Sequence, residues 1–580
     1  MNPRIIADSL ESLARRIRVA RGLEPADTLF VNGKVACTFT GELLELPVAV
    51  AEGRVVALGS THGATEVVDL RGAILAPAFT DPHIHVESSM LTPEGFAEAV
   101  VPRGTGATVS DPHEIVNVMG LAGLDYMRAA AQGLPVDLFF SIPSCVPATD
   151  METAGAELDA AATASALDRY SDTPGLSEMM NFPGVLYGVP DVLEKIRAAH
   201  ARGLPVDGHS PGLTGPGLDA YLNGGILTDH ECLTADEARE KLRRGMVLFL
   251  REGSAAKNLR DLLPAVTAGN LHRVCIASDD RHPEDLMREG HLDHSLRLAV
   301  SAGLDPMWAL CMVTLNPARV YGWMDRGGIA PGYRADLVVL DNLRDFGVRE
   351  VWHGGMRVAE RGEIIQPIPR RDASATLSSV RLPATLGAKL RAFPTSGRAR
   401  VIGVEPAQIV TRNETGDLGD AGPGKDIQFA AVVERHRGTG NVGLGLLRGF
   451  NLKAGAFAST VSHDSHNLVL VGVSPSEMEA AARAVAQMGG GLAVVRDGEV
   501  KASCPLPVAG LMSQGNAREV AARLAKLHEE AKACGCALPT PFMTLAFIAL
   551  PVIPSLKLTD KGLVDVDTFA PVPLLVNSKE

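Results

Sequence analysis

Residues 74–85 read ILAPAFTDPHIH, an apolar run ending in a His-x-His pair, His83 and His85. On an extended strand residues i and i+2 share a face, so both imidazoles can reach one ion. Outward from this run, short apolar stretches alternate with Ala/Leu-rich ones. GATVSDPH (106–113) precedes GLAGLDYMRAAAQG (120–133), and VDLFFSIPSCVP (136–147) precedes ELDAAATASALDRYS (157–171). Strand then helix, repeated, reads as parallel βα units. The pattern continues to about Tyr321, close to the ~250 residues of a (β/α)8 barrel. His83 and His85 then fall at the C-terminal end of the first barrel strand, where such barrels build their active sites.

Four further residues end later units: Glu178 after TPGLS, His209 in LPVDGHSPG, His230 in GGILTDHE and Asp279 in HRVCIASDD. Imidazole with carboxylate suits a divalent transition metal. Four histidines and two carboxylates can ligate two ions if Glu178 bridges them. Each alone also reads as a hydrogen-bonded core histidine or a helix-capping carboxylate. Six in succession, each at an expected strand end, read as a site.

Short Val-rich, Gly-punctuated runs flank the barrel on both sides (DTLFVNGKVA and PVAVAEGRVVALG before it, RADLVVLDNL and VREVWHGGMRVAERGE after it). They read as hairpin strands that can pair into one split domain. The expected division is a helical lead-in (1–24), a composite small β domain (25–76 with 322–365), the barrel (77–321), a Pro/Ser/Arg-rich linker (366–397) and a C-terminal α/β unit (398–580). The fold class is α/β.

The 580 residues carry 55 Lys and Arg against 68 Asp and Glu, a net charge of −13 without any basic run. Such a balance disfavours nucleic acid as a partner. No apolar window approaches the ~18 residues of a membrane span. The first 22 residues hold Arg15, Arg16, Arg18 and Arg21 rather than a signal peptide's apolar core. A cytoplasmic protein without membrane contact is expected. The cysteines are scattered and imply no disulfide framework. Two motifs are decoys. His85-Val86-Glu87 fits the HxE of cytidine-type deaminases but lacks their PCxxC. Gly438 to Gly443 matches GxGxxG without the amphipathic helix that a dinucleotide site needs.

DPHIHVESSM (81–90), SDPHEIVNVMG (110–120), LSEMMNFPGV (176–185), DGHSPGL (207–213) and ASDDRHPEDLMREGHLDH (277–294) together resemble the prokaryotic adenine deaminase family of the amidohydrolase superfamily. The likeness extends through STVSHDSHN (459–467), GGGLAVV (489–495) and PVIPSLKLT (551–559), nearly the whole chain from Asp27. It implies a distorted (β/α)8 barrel, TIM-like, with a two-metal site. His83, His85 and Asp279 match ligands of one ion, His209 and His230 those of the other, and Glu178 the bridge. Many superfamily relatives place a carboxylated lysine at that bridge. Manganese is the implied metal, with iron or zinc as alternatives.

The implied reaction is hydrolysis of adenine to hypoxanthine and ammonia, and a neutral purine suits an acidic chain. A cation lowers the pKa of bound water to about 7 and so supplies a nucleophile. Asp279 is the expected proton shuttle, and Glu87, Glu114 and His230 are candidates for a second donor. Position also nominates Ser88, Ser89, Asn117, Arg251, Glu252, Asp280 and Arg281 as purine contacts. His463 and His466 of SHDSHN are expected to face the barrel mouth or to bind a further ion. A homodimer is expected. The competing readings are a dihydroorotase- or hydantoinase-like cyclic amide hydrolase, a deaminase of another 6-aminopurine, and a metal-binding protein without catalysis. Glu178 in place of lysine favours deamination.

Overall fold

A computed structural model describes residues 9–59, 63–406 and 408–576. The lead-in is an amphipathic helix, Leu10–Ala20, capped by Ser9, whose hydroxyl accepts the Ser12 N–H. Residues 1–8 of that expected segment lie outside the described residues.

Eight short parallel strands follow in sequence. They are β1 (Phe79–Ile84), β2 (Thr105–Ser110), β3 (Asp137–Phe140), β4 (Leu176–Met179), β5 (Val206–Gly208), β6 (Thr228–Asp229), β7 (Val247–Arg251) and β8 (Val274–Ala277). Helices such as Leu121–Ala130, Ala160–Arg169, Pro190–His200, Ala235–Arg243 and Leu292–Ser301 run between them. Register pairs join β1 to β2 (Asp81↔Thr108), β2 to β3 (Val109↔Phe139), β4 to β5 (Leu176↔Val206), β6 to β7 (Thr228↔Val247) and β7 to β8 (Phe249↔Cys275). A single bridge, Ile142↔Leu176, carries β3 to β4. Between β5 and β6 the link is Gly208 N–H donating to Thr228 Oγ1 at 2.9 Å. A Cβ on Gly208 would lie 1.9 Å from Thr228 O, so only glycine admits this approach. The last strand returns to the first: Asp279 N–H donates to His83 O at 3.1 Å. The strands are short, and three of the links, β3 to β4, β5 to β6 and β8 to β1, rest on a single bridge or a hydrogen bond.

The flanking runs pair across the chain. Ile74–Pro77 is antiparallel to Leu337–Leu340 (Ala76↔Val338) and parallel to Lys34–Cys37, within one seven-stranded sheet. Asp336 pins this sheet beside β3. It accepts from Gly354 N–H and Arg334 Nε, each at 2.8 Å, while Arg326 Nη2 reaches Asp137 at 2.5 Å. The core is aliphatic, as only 4% aromatic content requires. Its few aromatics are used densely, as where Phe30 meets Trp352 edge-on at 5.0 Å.

Residues 366–397 are not uniformly extended. Leu386–Leu390 forms a short helix, with Leu386 and Leu390 buried in the C-terminal core. That core lies against an eight-stranded sheet running from Thr411–Asp417 at one edge to Glu499–Pro505 at the other. Helix Pro475–Gln487 is capped by Ser474 and buries Met478, Ala481, Ala482 and Val485 in it. The GxGxxG stretch lies in the antiparallel hairpin between Ile427–Val433 and Val442–Arg448. It is not a strand–turn–helix. The C-terminal region also touches the loops after β1 and β3: Leu91 bridges Ser513, Asn467 Nδ2 donates to Thr153 O at 2.8 Å, and Thr559 Oγ1 to Met151 O at 2.7 Å. All eight cysteines are free. Among the described residues no helix is long and apolar enough to cross a membrane.

Candidate metal centre

The C-terminal ends of the strands converge. His83 lies one residue before the end of β1 and His85 just past it, with their rings 5.0 Å apart. Glu178 on β4, His209 after β5, His230 after β6 and Asp279 after β8 meet them. The structure therefore brings all six residues with metal-ligand spacing to one place.

Glu178 is the hub. Its Oε2 lies 2.6 Å from His209 Nδ1 and 3.2 Å from His230 Nε2, and its Oε1 lies 3.2 Å from His85 Nε2. Asp279 Oδ1 sits 3.4 Å from both His83 Nε2 and His85 Nε2. His83 stacks on His230 with ring centroids 4.0 Å apart. Ligand atoms of His83, His230 and Asp279, and separately of Glu178, His209 and His230, lie within 4.8 Å of one another.

Outer contacts aim the rings. His83 Nδ1 is 2.7 Å from Asp207 Oδ2, and His85 Nδ1 is 3.1 Å from Asp111 O. Such partners fix the tautomer and turn the other nitrogen inward. Asp279 Oδ2 accepts from Arg251 Nη1 at 3.1 Å, and the same guanidinium pairs with both oxygens of Glu231.

The donor set suits a cation. Burial disfavours the imidazolium forms of His83 and His85, yet Asp207, Asp279 and Glu178 outweigh it and push both pKa values well above the ordinary range. His209 rises to about 9 against the same burial, through Glu231 and Glu178. Burial likewise opposes ionisation of Glu178 and Asp279, and the surrounding imidazoles overcome it and hold both well below normal. The pocket thus demands positive charge. Protons would meet that demand only by stacking like charges a few Å apart. A divalent ion meets it with neutral rings, and His83 Nε2 is buried without a hydrogen-bond partner.

The other nominated residues divide. Ser88 Oγ donates to Asp280 Oδ1 at 2.6 Å beside the cluster. Glu87 is buried there; burial and then Glu114 raise its carboxyl to about 7. Glu252 is buried too, and desolvation lifts it to about 7. Glu114, His463 and His466 form a second buried group next to the first. Three residues are committed elsewhere. Ser89 Oγ donates to Val86 O at 2.6 Å within its own turn, and Asn117 Nδ2 to His113 O at 3.0 Å along its helix. Arg281 is spent on Gly253 O, Gly290 O and Glu289.

His113 was not singled out by sequence reasoning. Its Nδ1 lies 3.5 Å from Glu178 Oε1 and 3.0 Å from Asp111 Oδ2. The signal was present: Asp111-Pro-His113 after β2 repeats Asp81-Pro-His83 of β1. Asp207 and Glu231, each next to or near a nominated histidine, were missed as well.

The chain matches known proteins along most of its length. The amidohydrolase family model matches residues 74–358, and the model for the adenine deaminase C-terminal domain matches residues 406–570. A curated adenine deaminase from Desulfatibacillum aliphaticivorans is 48% identical over 563 residues, 95% of this chain and 98% of that protein. Adenine deaminase 2 from Carboxydothermus hydrogenoformans is 48% identical over 568 residues, covering 96% and 98%. Among solved structures, a D-aminoacylase overlaps 59% of this chain and 98% of its own with a TM-score of 0.45 and 17% identity. The ring of strands and its cluster belong to an amidohydrolase. More narrowly, the chain belongs to the adenine deaminase family.

Proposed function

We propose that the chain hydrolyses adenine to hypoxanthine and ammonia, as the name of its relatives indicates. The observation that carries this reading is the Glu178 carboxylate at the centre of the histidine cluster, within a family relationship that spans nearly the whole chain. The eight-strand ring is read as a distorted (β/α)8 barrel (77–321), with the split β domain (25–76 and 322–365) beside it and the C-terminal unit (398–580) over its mouth.

His83, His85 and Asp279 would hold one divalent ion, His209 and His230 a second, with Glu178 shared between them; manganese is the first candidate. Such ions lower the pKa of water toward neutrality and so supply the nucleophile. The chain's own groups do the rest. Arg251 fixes Asp279 Oδ2, which leaves Oδ1 facing the cluster. Asp279 takes a proton from the attacking water and passes it to a purine ring nitrogen as C6 becomes tetrahedral. Asp207 and the Asp111 carbonyl keep the imidazoles aimed.

A cyclic amide hydrolase with a carboxylated lysine fits less well. Two buried lysines on the helices between the strands are committed: Lys195 Nζ donates to Ser144 O, and Lys241 Nζ to Asp229 and Glu237. The test is purification with manganese and ultraviolet assay of adenine, adenosine and other 6-aminopurines. Turnover of adenine but not adenosine is expected. Full metal occupancy with unchanged adenine would refute the proposal.

A further inference from the structure

The C-terminal unit reaches the metal cluster through the loop that carries His463 and His466. His463 Nδ1 lies 2.8 Å from Glu114 Oε1, and His466 Nε2 touches Glu114 Oε2. All three side chains are buried. A carboxylate and two imidazoles could hold an ion, but the His466 tautomer opposes it. Ser462 N–H donates to His466 Nδ1 at 3.1 Å, so the proton of the neutral ring sits on Nε2, facing Glu114. A ligating nitrogen needs that lone pair free. Burial keeps the ring neutral, overcoming Glu114 and bringing its pKa to about 4. Glu114 therefore reads as a carboxylate flanked by two imidazoles, in contact with Nδ1 of His463 and Nε2 of His466.

His463 is placed differently. Its ring stacks on Phe547, with centroids 4.6 Å apart and 18° between the planes. With Nδ1 held by Glu114, Nε2 is the nitrogen available to a cavity lined by Ser88, Met90, His282, His463, Phe542 and Met543. Ser88 donates to Asp280, the neighbour of Asp279, so this cavity adjoins the metal cluster. A carboxylate that orients an imidazole toward a cavity is the geometry of a positioned proton carrier.

We propose that His463 is the second proton donor of the reaction, giving its Nε2 proton to the departing amino nitrogen, with Glu114 as its positioning carboxylate. The proposal rests on the adenine deaminase reading. Glu114, Asp280 and Asp464 face His463 with negative charge, and His466 and His282 flank it. Burial works against the imidazolium, yet the three carboxylates outweigh it and lift the pKa to about 9. The ring thus carries its proton at neutral pH. The protons balance. Water oxygen bonds C6 while one water proton passes through Asp279 to the ring nitrogen. His463 protonates the amino group, the C6–N bond breaks and ammonia leaves. The remaining hydroxyl proton on the C6 oxygen returns to His463 as the carbonyl of hypoxanthine forms.

The test uses full-length holoenzyme with His463→Gln, His463→Ala and Glu114→Gln. Metal content, kcat for adenine and its pH profile are read together. His463→Gln should lose about 100-fold or more in kcat, the range for a general acid, with metal per chain unchanged. The alkaline limb of the wild-type profile should vanish in that variant and move to lower pH in Glu114→Gln. A wild type that leaves adenine unchanged overturns the parent reading and this one with it. A wild type that deaminates adenine while His463→Gln stays within tenfold overturns this one alone. So does loss of one metal equivalent in either His463 variant, or an unmoved alkaline limb in Glu114→Gln.

Discussion

Asp279 holds φ at +57°, the left-handed region that only glycine, asparagine and aspartate visit readily. Its three polar groups are each assigned a direction: N–H to His83 O, Oδ1 to the two imidazoles of the His-x-His pair, Oδ2 to Arg251. Asp279→Asn keeps the shape and removes the charge and the proton acceptor. Its kcat for adenine should fall by about 100-fold or more, with metal content assayed alongside. At this scale much was legible, because a histidine or carboxylate ending an apolar run announces itself. Ser89, Asn117 and Arg281 looked as promising as Ser88 by position. What separates them is local hydrogen bonding, since hydroxyls, amides and guanidiniums readily satisfy backbone carbonyls within a few residues. No spacing rule reveals that choice.

The elements are held by few contacts, so small changes should register. Gly208→Ala drives a methyl into Thr228 O at the link between β5 and β6. Overpacking of this kind costs about 1–3 kcal/mol, measurable as a lower urea midpoint. Asp336 gives a pH test. Burial opposes its ionisation, but Arg326, His353 and Arg334 prevail and bring its pKa to about 2. A carboxylate depressed in the folded state stabilises it above the unfolded value near 4. That stabilisation, about 2 kcal/mol, drains away as pH falls from about 4 through 2. Denaturation of the native chain at pH 7, 4 and 3 should show the loss, and Asp336→Asn should flatten it. Strand and helix positions were readable from alternating Val-rich and Ala-rich runs. The short helix Leu386–Leu390 was not, because Pro, Ser and Arg around it masked two core leucines.

Across the whole molecule, metal binding and folding are linked, since a ligand that binds only the native state adds RT ln(1 + [L]/Kd), about 4 kcal/mol at a thousandfold excess over Kd. Chelated protein should therefore melt several degrees lower than the manganese form and recover on re-addition. An unchanged melting temperature after verified metal removal would contradict a cation at the cluster. Contacts from Asn467, Thr559 and Ser513 to the loops after β1 and β3 should make the C-terminal unit melt together with the strand ring.

The ring is sewn shut by the bond from Asp279 to His83, which has a consequence for how the protein is made. About 200 residues separate those two positions in the chain. At ~5–20 residues per second, translation leaves the first histidines waiting roughly 10–40 s for the strand that completes them. His463 arrives later still. All six cluster residues are made before the midpoint of the chain, so the histidine of the C-terminal unit joins a ligand set that has already been synthesised.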